Sequence, residues 1–214
     1  MCTFASMKRL ILIIIVILFL LPLASKAESM DSVFAKIPIP EFSMLSLNDR
    51  LDLLDYANCG QKAVVENLYG GKTTLVLKRD NYLRLELTSV NSLEVILLQR
   101  EKGDTIVAVL STIHTPMDES QLKFYTLTGE PLPSCFKLPQ ADALIDSVSV
   151  KSVETSWQKL LTVKAQCEPE NITIVCEASL KLLPREEQKK YAPMYMYGSR
   201  RYKWNGTTFV LLHE

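Results

Sequence analysis

Leu83-Arg84-Leu85-Glu86-Leu87-Thr88 places a leucine at every second position with a polar residue after each. Period two is the pattern of a strand with one buried and one wet face, because successive side chains point to opposite sides of a sheet. Outward from this stretch the same reading runs from Lys72 to Leu127. Val90-Asn91-Ser92 turns the chain, Leu93 to Gln99 returns, and Glu101-Lys102-Gly103-Asp104 turns it again. Thr105 to Ile113 and Leu122 to Leu127 add further strands before the turn Thr128-Gly129-Glu130-Pro131. None of these connections is long enough for a crossover helix, so the strands predict an antiparallel meander.

Upstream the period is that of a helix. Met30, Val33, Phe34 and Ile37 fall at i, i+3, i+4 and i+7 and end at Pro38, which predicts a short amphipathic helix. Ile37-Pro38-Ile39-Pro40 is extended, since each proline pushes its predecessor out of the helical region. A second helix starts at Ser46, with Asp49 at its third position, and runs to about Ala57. Leu47, Leu51 and Leu54 are expected to be its buried stripe, with Asp49, Asp52 and Asp55 on a solvated acidic face. Gln61 to Leu68 reads as a brief helical turn ending at Gly70-Gly71.

Downstream, Pro131 to Asp146 is proline-punctuated, with a short helix expected at Ala141 to Ile145. Thr162 to Gln166 and Ile172 to Glu177 form a hairpin, Pro184 begins an exposed charged helix through Tyr191, and Asn205-Gly206 joins Tyr202-Lys203-Trp204 to Thr207–Leu212 as a terminal hairpin. The expected architecture is α+β: short N-terminal helices packed on a mainly antiparallel β-sheet, closed by a C-terminal β-hairpin.

The first 27 residues stand apart. Lys8 and Arg9 precede the apolar run Leu10 to Leu21, and Pro22 breaks that run before Ser25 and Ala27. Twelve apolar residues fall short of the ~20 that span a bilayer, so the segment reads as a secretory signal peptide cleaved after Ala27. The remainder, 28–214, is expected to be a single domain in the periplasm or secreted, with no membrane span after cleavage. The whole chain has 24 basic and 24 acidic residues. Removing the leader takes away Lys8, Arg9 and Lys26 and no acid, which leaves 21 basic residues against 24 acidic ones. Phosphate-backbone binding has no electrostatic drive in that composition, so nucleic acid is excluded as a partner.

Cys59, Cys135, Cys167 and Cys176 survive cleavage. Centring the hairpin turn on Pro169 and Glu170 sets Cys167 opposite Ile172 and Cys176 opposite Val163. The sulfurs are then about 13 Å apart on one face, beyond the ~7 Å reach of a bridge, so no Cys167–Cys176 disulfide is expected; buried thiols are the favoured reading because the chain is far from a disulfide-dense scaffold. No spacing suggests a metal site, and no motif suggests a cofactor.

Catalytic motifs are equally scarce. Gly70-Gly71-Lys72-Thr73-Thr74 ends like a phosphate-binding loop, but Glu66 stands where the pattern requires glycine, and a helix C-cap before a strand accounts for both glycines. The two histidines are His114, at a strand end before Thr115-Pro116, and the penultimate His213. The functional reading of His114 is a base on Cys135 or on a serine, and its structural alternative, the favoured one, is a strand-end histidine in a loop. The densest aromatic group is Tyr191, Tyr195, Tyr197, Tyr202 and Trp204, with Arg200 and Arg201 among them, the residue types that binding surfaces use. Its structural alternative is a terminal hairpin whose alternate members pack on the core.

Leu47-Asn48-Asp49-Arg50-Leu51-Asp52-Leu53-Leu54-Asp55-Tyr56, then Leu68-Tyr69-Gly70-Gly71-Lys72, Asp80-Asn81-Tyr82-Leu83, Phe124-Tyr125 and Tyr202-Lys203-Trp204-Asn205-Gly206 resemble, in order and spacing, a family of exported Bacteroidales proteins catalogued as a domain of unknown function. The resemblance implies export and a single domain; it supplies no activity and no catalytic residues. In such bacteria exported proteins are glycosylated at Asp-Ser/Thr-aliphatic triplets, which Asp31-Ser32-Val33, Asp104-Thr105-Ile106 and Asp146-Ser147-Val148 match, with Ser147 the reachable one.

The reading of function is a non-catalytic exported binding or envelope accessory protein, taking an envelope protein or a glycan on the surface of Tyr191, Tyr195, Tyr197, Arg200, Arg201, Tyr202 and Trp204. The alternative is a periplasmic hydrolase acting on glycan or peptide through residues distant in sequence. Two carboxylates in a deep cleft, or His114 beside a nucleophile, would favour that alternative.

Overall fold

The computed structural model describes residues 28–144, 161–196 and 199–212. The chain opens with α1 (Met30–Lys36), whose N-cap Ser29 accepts the Ser32 N–H at 3.2 Å. A 3-10 turn, Pro40–Phe42, leads to α2 (Leu47–Asn58). At the start of α2 the expected capping box forms: the Asp49 N–H donates to Ser46 Oγ and the Ser46 N–H to Asp49 Oδ2.

The buried stripe of α2 is not the expected one. Leu53 and Leu54 are buried, whereas Leu47 and Leu51 are 52% and 41% exposed. The cause lies in α1. Pro38 has no N–H to return to the Phe34 carbonyl, and Arg50 supplies the missing donor. Its Nη1 donates to Phe34 O at 2.9 Å and Ile37 O at 3.0 Å, with the guanidinium over the Phe42 ring. Turning Arg50 inward rotates Leu47 and Leu51 out to solvent.

A seven-stranded antiparallel sheet follows, in the order of the chain: β1 (Val64–Glu66), β2 (Lys72–Arg79), β3 (Tyr82–Thr88), β4 (Asn91–Gln99), β5 (Thr105–Ile113), β6 (Glu119–Tyr125) and β7 (Pro131–Leu132). The meander expected from Leu83–Thr88 is there. The helical turn expected over Gln61 to Leu68 is instead β1, with Val64 and Val65 paired to Thr74 and Thr73. Two β-branched residues favour the pleated conformation, and the two glycines lie in the turn of a β1–β2 hairpin, Gly70 at φ 77°, not beyond a helix.

A second, four-stranded antiparallel sheet has the order β11-β10-β9-β8, where β8 is Thr162–Glu168, β9 Thr173–Ser179, β10 Arg200–Trp204 and β11 Phe209–Leu211. Helix α3 (Arg185–Met196) lies between β9 and β10 in the chain, and a 3-10 turn, Ala141–Leu144, occupies most of the short helix expected there. The seven-stranded sheet is covered on both sides. Leu83, Leu85, Leu93, Val95, Val107 and Val109 pack against Phe34, Ile37, Leu53 and Leu54 of the helical layer. Ile96, Leu98, Ile106, Ala108, Leu110 and Phe124 pack against Ala165, Cys167, Ile174, Cys176 and Phe209 of the second sheet. Hence Leu93–Leu98 and Ile106–Leu110 are nearly continuous apolar runs, as strands buried on both faces require. Short helices do pack on a mainly antiparallel sheet, but β structure dominates.

In the β8–β9 hairpin Cys167 faces Ile174 and Cys176 faces Ala165. The register differs by two residues from a turn centred on Pro169 and Glu170, because the loop extends to Ile172, at φ 45°. Both thiols are free and buried, and burial raises them, Cys176 to about 12. The terminal hairpin closes over four residues, Trp204 pairing with Phe209 while Asn205 Oδ1 accepts the Thr207 and Thr208 N–H groups.

Candidate functional site

The layer between the two sheets carries a distinct feature at each end of β4. At the Gln99 end is a cavity of about 350 Å³. Ile106, Phe124, Leu132 and Pro133 make its apolar wall, with Cys135 beside them; Arg100, Glu101 and Lys102 of the β4–β5 turn and Gly206 and Thr207 of the terminal hairpin make its rim. The two turns are fastened together: the Glu101 N–H donates to Gly206 O at 3.1 Å and Trp204 Nε1 to Gln99 O at 2.8 Å. Gly206 is held at φ 94°, and a Cβ there would stand 2.7 Å from Glu101 Cγ, so the close approach that shapes the rim requires glycine. Arg100 is ion-paired to Asp104 across the turn.

The sequence-predicted surface divides. Tyr202 and Trp204 are half-buried members of an aromatic cluster under the second sheet, with ring centroids 5.0 Å apart for Phe136–Tyr202 and 5.2 Å for Trp204–Phe209. Arg201 is ion-paired to Glu168, and Arg200 is the first residue of β10, partly exposed. Tyr191 and Tyr195 fall on α3 at positions whose side chains are not described. Tyr197 lies outside the described residues, as do His213 and Asp146-Ser147-Val148.

At the other end of β4, about 23 Å away at strand rise, His114 stands beside a serine hydroxyl. Ser92 Oγ is 2.9 Å from His114 Nε2, and His114 Nδ1 is 2.9 Å from Asp118 Oδ1. Ser92 is 5% exposed, Asp118 8%, and His114 is partly open to solvent. Asp118 also joins the sheets: its N–H donates to Ser179 Oγ, its carbonyl accepts from Thr162 Oγ1 at 2.6 Å, and Lys181 Nζ lies 2.9 Å from Oδ1. A carboxylate can only accept, so Nδ1 carries a proton towards Asp118, which leaves Nε2 as the ring's one position able to accept from the Ser92 hydroxyl. A serine beside His114 is one reading of the sequence, but no motif there singles out Ser92 or points to Asp118. The four-residue interval His114–Asp118 between two strands was the only signal.

Burial by itself would raise the Asp118 carboxyl, but the hydrogen bonds from Lys181 and His114 together outweigh it and hold the group below the usual carboxylate range. A depressed folded-state value means stability that is complete above the unfolded value, near pH 4, and lost as pH falls through the folded one. Asp118→Asn is therefore expected to cost about 1–2 kcal/mol at pH 6 and progressively less below pH 4. Urea midpoints of the two proteins at pH 6, 4 and 3 measure it; a pH-independent gap would contradict the assignment.

Among the described residues no group of three or more His, Cys, Asp or Glu side chains converges as metal ligands would, and no helix is long and apolar enough to cross a membrane.

Fold and sites together define a three-layer protein: helices, a seven-stranded meander and a four-stranded sheet, with polar and apolar features at opposite ends of the inter-sheet layer. The chain belongs to the family described as "Protein of unknown function (DUF3256)", whose model matches residues 23–209. It is similar in fold to a solved domain of an uncharacterized protein from Porphyromonas gingivalis W83, at a TM-score of 0.71 and 17% identity over 86% of this chain and 98% of that one. No curated protein matches it.

Proposed function

We propose that this is an exported binding or envelope accessory protein, released after Ala27 into the periplasm or the medium, whose cavity at the Gln99 end of β4 receives a small, largely apolar ligand or the apolar end of a larger one. The cavity is the observation that carries the reading. Its volume falls in the range of small-molecule sites, and its apolar wall beneath a charged rim is the usual division between a part that supplies affinity and a part that orients. The terminal hairpin supports the same reading, because its aromatic residues Tyr202 and Trp204 anchor the strand whose turn closes the rim. The remaining sequence-predicted residues, Tyr191, Tyr195, Tyr197, Arg200 and Arg201, extend the proposal to an envelope protein or glycan as a further partner.

Titration with 1-anilinonaphthalene-8-sulfonate, an apolar fluorophore with one anionic group, tests the cavity. One saturable site is expected, weakened roughly tenfold or more when Leu132→Trp fills the wall. No saturable binding to the folded protein, or equal binding by that variant, would defeat the proposal. A mature N-terminus at Glu28 in protein recovered from the periplasm or medium is the matching expectation for export.

A further inference from the structure

The opposite end of β4 carries a chemistry that the cavity does not use. We propose that Ser92 is an acylatable nucleophile, activated by His114 and oriented through Asp118, that accepts short acyl groups from esters of alcohols presented at the protein surface. The connectivity is the argument. Each imidazole nitrogen has one partner: Ser92 Oγ on Nε2 and Asp118 Oδ1 on Nδ1, both at 2.9 Å. That order of hydroxyl, base and orienting carboxylate is what serine activation requires, whatever the fold or chain order. Asp118 is itself fixed by Ser179 and Thr162 of the second sheet and by Lys181 just beyond β9, so the imidazole is held by a supported group.

Exposure sets the substrate class. Ser92 is 5% accessible, so only a small acyl group, acetyl-sized, reaches its hydroxyl. The His114 side chain is 31% exposed at the lip, so the alcohol half of the ester stays in solvent and can be as large as a sugar. In the step, Ser92 Oγ bonds to the ester carbonyl carbon while His114 Nε2 takes the hydroxyl proton. The carbon–alkoxide bond then breaks, and the departing alkoxide takes that proton from Nε2. Water attacks the acyl-serine by the same route in reverse roles, releasing the carboxylic acid and restoring the hydroxyl. Ser92 is paired to Glu86 on one side and Thr112 on the other, so the strand amides around it are ladder donors and not an oxyanion hole. Loss of one such donor costs roughly 10²–10³ in rate in enzymes that have it, so slow turnover and a long-lived acyl-serine are expected. The site lies apart from the cavity, and each proposal can fail without the other.

The full chain freed of its leader is incubated with p-nitrophenyl acetate and, separately, with a small alkyl fluorophosphonate, and modified peptides are mapped by mass spectrometry. Modification confined to Ser92 is expected, absent in Ser92→Ala and at least tenfold slower in His114→Gln, whose amide can hydrogen-bond but cannot take a proton. Thermal unfolding verifies that the variants are folded. Should either variant not fold, the wild type alone decides: native protein left unmodified at Ser92 by both reagents overturns the proposal. Equal modification of native and urea-unfolded protein, or of folded His114→Gln and wild type, overturns it as well.

Discussion

Glu94→Ala is expected to lower the unfolding free energy by about 3 kcal/mol, enough to leave a domain of ordinary stability partly unfolded at moderate denaturant. Glu94 sits on β4 opposite Arg84, 4% exposed, with the second sheet laid over it. Its Oε2 accepts the Cys167 N–H of β8 at 2.8 Å, and its carboxyl is hydrogen-bonded to the Tyr82 side chain. Alanine strands both donors in the layer between the sheets and leaves a void besides, and unsatisfied buried groups cost about 1–3 kcal/mol each.

Glu94→Gln separates the polar role of the side chain from its charge. Burial raises the Glu94 carboxyl, and the hydrogen bonds from Cys167 and Tyr82 and the nearby Arg84 and Lys164 only partly reverse it. A raised folded-state value reverses the sign found at Asp118. The contribution is most favourable below the unfolded value, near pH 4.3, and declines as pH rises through the folded one. Glutamine keeps an acceptor for Cys167 and an amide for the tyrosine oxygen and has no charge to desolvate. At pH 8 it should therefore match or exceed the wild type by about 1 kcal/mol, an advantage that shrinks towards pH 4. Guanidinium unfolding at pH 4, 6 and 8 provides the comparison. A glutamine variant as damaged as the alanine one at every pH would show that the charge itself holds the sheets together.

Glu94 also shows where a one-dimensional reading stops. Between Leu93 and Val95 it has the position of a wet-face residue, and on a sheet covered on one side it would be one. Nothing local in Ser92–Leu98 says that β8 will cover it, because that contact spans 73 residues. What was legible were features whose cause lies within a few residues: the alternation of Leu83–Thr88, the Ser46–Asp49 capping box and the Asn205-Gly206 hairpin. The stripe of α2 was misread because its orientation is fixed by Arg50 answering the Phe34 carbonyl that Pro38 leaves unpaired and the Ile37 carbonyl beside it, a contact distant in sequence. The candidate sites divide likewise. His114 stood out as a rare residue type, but Ser92 became its partner only through the pairing of β4 with β5, and the cavity wall is assembled from three separated segments.

Asn67 carries the second large effect, and it decides the hairpin misread as a helix end. The side chain is 4% exposed with its bonding capacity used: Nδ2 donates to Thr73 Oγ1 at 3.3 Å and Leu87 O at 3.2 Å, while Oδ1 accepts the Tyr69 and Gly71 N–H groups at 3.1 Å. One amide thus shapes the turn and ties it to the end of β3. Asn67→Ala is expected to cost about 2–3 kcal/mol, since two turn amides lose their acceptor in a partly buried place. Asn67→Asp changes a single group, yet it should cost more at pH 7. It preserves the acceptor for Tyr69 and Gly71 but turns a second carboxylate oxygen towards the Leu87 carbonyl, an uncompensated charge facing an acceptor. Protonation restores a donor there, so the aspartate variant should recover part of its loss as pH falls towards 4, while the alanine variant's deficit stays level. Urea midpoints, with amide exchange at Val64 and Val65 as the local readout, separate the two. If the aspartate variant is the milder one at neutral pH, the turn is held by its acceptor alone and the bond to Leu87 adds nothing.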